Sequence, residues 1–372
     1  MSITVREATT ATDLKTFAKL PFSLYKGNKF WVPPMIDDEI KSLMPSANPA
    51  FKFCKAKFWL AFKDGKCVGR IGCIINQLDI EKTGKKMARF SRTEFIDDAE
   101  VVKALFDVAE KWAREQGMEG IHGPLGFTNL DHQAMLVEGF DHLPSIASEY
   151  HLPYYQKQVE RLGYEKEIDW VEFRLTIQAV PEKAMRLNEV IKQRFGLKVI
   201  TFKNKSEMVP YSKKIFDLLN TAFADLFSMV ALSDDMIQFY IKKYFNMLNP
   251  EFIKVIEKDG EVVGFIIGLP SLSEAMQKAK GKLLPFGWWH LMKALKNPSV
   301  VDLLLTGIHP KYQGQGVPAL LITELQQTMI AKGVKYAETT GIIETNQKAI
   351  QVWQNYEHIQ HKRKRCYIKM FA

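Results

Sequence analysis

Residues 58–75 read as an apolar run, the polar quartet Lys63-Asp64-Gly65-Lys66, and a second apolar run through Cys67-Val68-Gly69-Arg70-Ile71. Residues 252–269 repeat this arrangement around Lys258-Asp259-Gly260-Glu261 and Val262-Val263-Gly264-Phe265-Ile266. Each pattern predicts two strands joined at an Asp-Gly turn, because glycine accepts the positive φ of a tight hairpin. The turns stand 195 residues apart, at positions 64 and 259. A second pair has nearly the same spacing. Residues 154–163 read as helix and lead through Tyr164 to the strand-like Trp170-Val171-Glu172-Phe173-Arg174-Leu175. Residues 349–357 read as helix and lead through His358 to Arg365-Cys366-Tyr367-Ile368-Lys369-Met370. Two matches at almost one offset predict two copies of one fold.

Residues 182–195 carry a helical pattern stopped by Gly196, which predicts a connecting helix. The expected domains are therefore 1–180, a connector over 181–196, and 197–372. Ile3-Thr4-Val5-Arg6-Glu7 opens the first copy as strand, and residues 197–202 open the second. In the first copy, residues 101–117 predict an amphipathic helix ending in Gly117. In the second, residues 208–226 and 234–245 are helical and the hairpin follows. Residues 299–308 form an apolar run typical of a buried strand. A helix is expected over 317–332, stopping at Gly333, then a strand over 336–343. Asn346 is placed to cap a helix over 347–356.

Composition changes this picture little. At roughly 100–200 residues per domain, 372 residues suit two domains. Apolar residues at 47% and charged residues at 25% argue against global disorder. The four cysteines, Cys54, Cys67, Cys73 and Cys366, form no Cys-x-x-Cys pair, so neither a disulfide framework nor a metal site is expected. They suit a reducing compartment. Residues 1–15 lack a basic-then-apolar signal pattern. No apolar run approaches the ~20 residues of a membrane span. The expectation is a soluble, cytoplasmic protein, monomer or homodimer. The formal net charge of +9 steers anions. The basic run His361-Lys362-Arg363-Lys364-Arg365 is expected as a turn entering a last strand. Without zinc-finger spacing or an aromatic RNA-binding signature, it argues against a nucleic-acid partner.

The most informative chemistry lies at His309-Pro310-Lys311-Tyr312-Gln313-Gly314-Gln315-Gly316-Val317. A buried strand ends in a proline, and a glycine-rich turn then opens a helix. Glycines let the backbone approach a ligand. The helix start adds unpaired amides and partial positive charge. Together they suit phosphate or pyrophosphate. No Lys-Ser or Lys-Thr follows the last glycine, so this is not a Walker loop. The third glycine of the dinucleotide fingerprint is also missing.

This order resembles the GNAT acyltransferase superfamily, with Pro318 where glycine or alanine is usual. Pro318 suits a first helical turn but removes one amide donor. Asn346, Ala349 and Trp353 match the spacing of the family's next motif. In many members the Trp353 position is a tyrosine that protonates the CoA thiolate. Trp353 cannot do so, and Tyr356 is the substitute. The resemblance implies an α/β (α+β) fold of two tandem GNAT-like domains, each a mixed, mostly antiparallel sheet flanked by helices. It implies acetyl-CoA or another acyl-CoA as co-substrate, held by Ile308, Gln313, Gly314, Gln315, Gly316, Val317, Ala319 and Asn346. The strand over 305–308 should splay and offer backbone groups to pantetheine. The first copy looks degenerate: Phe90-Ser91-Arg92-Thr93-Glu94-Phe95 stands where the loop is expected. Gly123-Pro124-Leu125-Gly126-Phe127-Thr128-Asn129 and Pro153-Tyr154-Tyr155 are similar to tandem-GNAT bacterial proteins.

A base must deprotonate the acceptor amine. Candidates are Asp302, His309, Glu338 and Glu344, with Glu344 preferred for its place beside the Asn346 cap. Alternation along the strand puts Glu338 and Glu344 on one face. The long polar loop over 123–140 suggests Asn129, Asp131 and His132 as acceptor contacts. Residues 272–298, basic and aromatic, have the make-up to dock an acyl chain, a lipid surface or a partner; they are expected to pack their aromatic face on the core, with an apolar substrate or acyl chain as second reading. The leading function is N-acetyl transfer to an amine of unknown identity. A non-catalytic acyl-CoA-binding scaffold and a long-chain acyl or aminoacyl transferase stand as alternatives.

Overall fold

The computed structural model describes residues 2–354 and 356–372. The strands are β1 (Ile3–Glu7), β2 (Cys54–Lys63), β3 (Lys66–Asn76), β4 (Met87–Phe95), β5 (Gly120–Gly123), β6 (Met135–Glu138), β7 (Glu165–Thr176), β8 (Lys198–Thr201), β9 (Ile253–Lys258), β10 (Glu261–Pro270), β11 (Val300–Ile308), β12 (Tyr336–Thr339), β13 (Ile342–Ile343) and β14 (His358–Met370). The helices are α1 (Ala11–Leu24), α2 (Ile36–Ser42), α3 (Gln77–Thr83), α4 (Ala99–Glu115), α5 (Tyr154–Arg161), α6 (Glu182–Phe195), α7 (Lys205–Ala222), α8 (Asp234–Tyr244), α9 (Ser273–Ala279), α10 (Gly287–Lys296), α11 (Val317–Ala331) and α12 (Gln347–Trp353).

Two compact units result, and they do not follow a single cut of the chain near 181–196. The first holds residues 1–171, 273–288 and 361–372; the second holds 172–272 and 289–360. Strands β7 and β14 therefore each pass from one unit to the other.

In the first unit the sheet runs β1-β2-β3-β4-β5-β14, with β6 also on β14. Only β4 and β5 pair in parallel among these. The β2–β3 hairpin turns at Asp64 and Gly65, both at positive φ, +50° and +78°. Helix α4 begins at Asp98, whose carboxylate accepts from the Glu100 and Val101 amides. Its face of Val101, Val102, Leu105, Phe106, Ala109 and Trp112 is buried. Each such aliphatic or aromatic side chain contributes roughly 1.5–3 kcal/mol on full burial.

The second unit repeats the plan. Its order is β7-β12-β11-β10-β9-β8, with β11 and β12 parallel. The β9–β10 hairpin turns at Asp259 and Gly260, at φ +50° and +82°. Helix α11 covers the sheet as α4 does in the first unit. The expected connector is α6, and it packs within the second unit. Its Lys192 lies 3.3 Å from Glu324 of α11.

Several expectations need correction. The basic run at 361–365 is not a turn but the interior of β14. Arg363 and Arg365 both reach Asp169, at 3.3 and 2.9 Å, which draws that part of the chain into strand pairing. Lys362 is buried and donates to the Leu143 carbonyl at 2.9 Å. The strand expected over 336–343 breaks after Thr339, because Thr340 turns to bond Leu303 and Leu304 carbonyls. Residues 90–95 lie inside β4, not in a loop. Helix α12 ends at Trp353, so Tyr356 follows the helix instead of sitting on it.

Candidate functional site

Strands β11 and β12 are paired over only four residues, Val300–Leu303 with Tyr336–Thr339. Strand β11 runs on to Ile308, still paired on its other side with β10, where Ile308 stands opposite Gly264. Thr340 closes the ladder, its amide donating to the Leu303 carbonyl at 3.3 Å. The parallel strands thus part at Leu304.

The glycine-rich turn stands at the end of this parting. Residues Pro310–Tyr312 form a short 3-10 turn, capped by the His309 ring, which accepts from the Lys311 amide at 3.3 Å. Gly314 and Gly316 adopt φ +75° and +79°, a region that favours glycine. A Cβ at Gly314 would meet nothing within 4 Å, so that face is open. A Cβ at Gly316 would stand 2.5 Å from Ile191 of α6. Gln315 holds the turn by donating to the Lys311 carbonyl at 2.8 Å, and Gln313 donates to the Ile308 carbonyl at 3.4 Å. Gly316 begins α11 with no side-chain cap. The first amides of a helix have no intrahelical acceptor, so Val317 and Ala319 offer donors there, while Pro318 has none.

Residues 213–356, which include this turn, match the acetyltransferase (GNAT) family. A tandem GNAT protein from the clavulanic acid biosynthesis pathway matches the fold over 99% of this chain and 98% of its own, with a TM-score of 0.57 at 14% identity. The matched segment is similar to GNAT domains, and the chain shares the fold of a tandem GNAT protein. Protein YghO of Escherichia coli is 29% identical over 98% of this chain and 95% of its own length. Bacterial ceramide synthase of Caulobacter vibrioides is 28% identical over 97% of this chain and 95% of its own.

GNAT folds use acyl-CoA as co-substrate, and the residues around the parting strands have distinct surroundings here. Asn346 caps α12, its side chain accepting from the Ala349 amide at 3.2 Å. Glu344 is half-buried just ahead of that cap. The break at Thr340 ends the alternation that placed Glu338 and Glu344 on one face. Glu338 is buried and bound to Arg174, whose Nε donates at 2.8 Å. Asp302 is fully buried mid-strand. Trp353 is buried, and its indole nitrogen has no hydrogen-bond partner among the described residues. Tyr356 lies with its ring 6.1 Å from that of Trp353, in an apolar hollow also lined by Leu303, Leu325 and Met329. Burial raises the Tyr356 pKa, which keeps its phenol protonated.

The first unit shows why its copy differs. Gly69 opposite Phe95 occupies the register position of Gly264 opposite Ile308. The Phe95 amide donates to the Tyr155 hydroxyl at 3.2 Å, and the Tyr154 hydroxyl donates to the Phe95 carbonyl at 2.6 Å. The backbone groups that a splayed GNAT strand would offer to a ligand are taken by the unit's own tyrosines. Tyr155 stands 194 residues before Ala349, so a large side chain replaces a small one. Beside it, Glu94 accepts from Tyr25 at 2.8 Å and Tyr155 at 2.7 Å. Burial pushes Glu94 up to about 7, against the pull of Arg70. Nothing in the local sequence marked Tyr25 or Glu94, which lie 69 residues apart.

The residues expected as acceptor contacts also lie in the first unit. Asp131 accepts from the Phe127 and Thr128 amides at 2.8 and 3.1 Å, holding its own loop. His132 stands 3.1 Å from Glu149 and 2.9 Å from the Ile146 carbonyl. Burial alone would lower its pKa, but Glu149 outweighs burial and raises it. Asn129 is half-buried in the same loop. A further group, His122, Glu167 and Cys366, brings three possible metal ligands within 4.8 Å of one another. His122 Nδ1 lies 2.9 Å from Glu167, and the Cys366 thiol lies 3.4 Å from the same carboxylate. Burial, reinforced by Glu167, raises the pKa of that thiol.

Proposed function

We propose that the chain is an acyl-CoA-dependent N-acyltransferase, with the CoA pyrophosphate at Gln313-Gly314-Gln315-Gly316. The observation that carries this reading is the uncapped start of α11 beside the open face of Gly314, at the end of the parted strands and inside the GNAT match. Val317 and Ala319 supply amides to phosphate, with Gln313 and Gln315 shaping the turn. Ile308 offers backbone groups to pantetheine, and Asn346 holds the adjoining helix start. The acceptor amine gives up a proton to Glu344, directly or through water. Its nitrogen then attacks the thioester carbonyl, the C–S bond breaks, and the thiolate takes a proton from Tyr356. Positioning and carbonyl polarisation supply most of the acceleration in such a site.

Acetyl is the simplest donor. The relative named bacterial ceramide synthase supports a longer one, since a ceramide is an N-acylated long-chain amino alcohol. The buried Trp353, where the family motif has tyrosine, supports instead an acyl-CoA-binding protein without turnover. One experiment separates these readings. Thermal unfolding is followed with CoA, acetyl-CoA and palmitoyl-CoA, for wild type and for Gln313→Glu/Gln315→Glu, alongside an assay for free thiol release. Ligand bound to the folded state raises the midpoint. A shift lost in the variant supports the loop, and the donor giving the larger shift defines acyl length. Binding without thiol release in the presence of long-chain and short-chain amines supports the non-catalytic reading. No shift with any donor overturns the site.

A further inference from the structure

Residues 272–298 were expected to turn their aromatic face to the core, and they do the opposite. Their base is anchored within the first unit. Ser273 donates to the Pro144 carbonyl at 2.6 Å, and Gln277 donates to the Lys29 and Trp31 carbonyls at 2.8 and 3.0 Å. The Ile36 amide donates to the Gly281 carbonyl at 3.1 Å, and a Cβ at Gly281 would stand 2.5 Å from Phe22. Beyond this clamp the chain folds back on itself, the Trp288 amide reaching the Leu283 carbonyl at 2.8 Å. That turn presents Leu283, Leu284, Phe286, Trp288, Trp289 and Met292 at 53, 75, 70, 52, 49 and 49% exposure.

We propose that this segment docks on an anionic lipid bilayer. Six large apolar side chains in ten residues, held outward by an anchored base, form a patch that water does not favour. Along the segment the charge has one sign, although Asp37 and Asp38 of α2 are exposed near Gly281. Lys278, Lys280, Lys282, Lys293 and Lys296 flank the apolar residues, and no Asp or Glu occurs from 275 to 301. A short helix with tryptophans on an apolar face and lysines beside it lies in the headgroup boundary of a bilayer. Anionic lipid attracts nearby lysines. A single acyl chain needs enclosure, which residues this exposed do not provide. A second copy of the same segment would bring five lysines against five.

The test is co-sedimentation of the full chain with phosphatidylcholine vesicles, with and without phosphatidylglycerol. Two variants accompany wild type: Trp288→Ser/Trp289→Ser, which removes apolar surface, and Lys282→Glu/Lys293→Glu, which reverses charge and keeps it. All four positions are exposed, so an unchanged thermal midpoint checks folding. The expected result is sedimentation with the anionic vesicles that weakens with salt, and a loss of partitioning by roughly tenfold or more in either variant. Wild type remaining in the supernatant with both vesicles overturns the proposal. So does sedimentation undiminished in both variants. Concentration-dependent self-association without vesicle binding, lost in the tryptophan variant, also overturns it and assigns the patch to a second copy.

Discussion

Gly264 lies directly beneath Val317, where an added Cβ would stand 3.1 Å from the valine Cγ1. The absence of a side chain on β10 sets how closely the first turn of α11, and with it the glycine-rich loop, approaches the sheet. The first unit repeats the device: a Cβ at Gly69 would stand 2.6 Å from Leu105 and 3.4 Å from Val101 of α4. Overpacking of this kind costs about 1–3 kcal/mol. Gly264→Ala should therefore cost around the lower end and Gly69→Ala around the upper, as read by denaturant unfolding. Gly264→Ala should also weaken CoA binding, while Gly69→Ala should leave it unchanged.

Glu94 sets a pH dependence. Its folded pKa of about 7 lies above the ordinary 4.5, so it stays protonated in the folded chain after it has ionised in the unfolded one. Between those values the folded state binds more protons, and stability falls as pH rises. Below 4.5 and above 7 its contribution is flat. Glu94→Gln removes this loss. The stability of wild type relative to the variant should drop between about pH 4 and 8, by an amount on the order of 3 kcal/mol at most. Glu39 and Glu149, held low by Arg92 and His132 respectively, act in the opposite sense, but they are present in both proteins. A pH-independent difference would show that Glu94 ionises normally.

The Arg174–Glu338 pair joins β7 to β12 within the second unit. Arg174→Met removes a partner from a buried carboxylate, which typically costs about 3–5 kcal/mol when nothing compensates. Glu338 has other contacts, and Arg174 is partly exposed, so the expected loss is smaller, roughly 1–3 kcal/mol. Chemical denaturation measures it. Loss of acyl-CoA binding at unchanged stability would instead place this pair in the donor site.

All four cysteines are free, and burial raises the pKa of each. Cys54 is pushed up to about 12. A thiol reagent acts on the thiolate. The native chain should therefore react slowly at neutral pH, with Cys67 first because it alone is not buried. All four should react at once in denaturant. Fast labelling of Cys366 in the native chain would mean that its contact with Glu167 is formed only part of the time.

Local chemistry was legible in the sequence alone. The two Asp-Gly hairpins, the helix stopped by Gly196, the Asn346 cap and the strand–turn–helix around Gln313-Gly314-Gln315-Gly316 all depend on residues within a few positions of one another. Their spacing was enough to read the repeat, and the GNAT fold was what the resemblance of the strand–turn–helix implied. Tertiary structure decided the rest, because it depends on partners far along the chain. The basic run became strand interior only because Asp169, nearly 200 residues earlier, receives Arg363 and Arg365. The first copy lost its ligand-facing backbone only because Tyr154 and Tyr155 reach Phe95 across about 60 residues. The Trp288-Trp289 segment faces outward because its base is clamped at Lys29, Trp31, Ile36 and Pro144. Hydrophobic pattern shows that a face is apolar, but which surface covers it is set by long-range packing that no local period records.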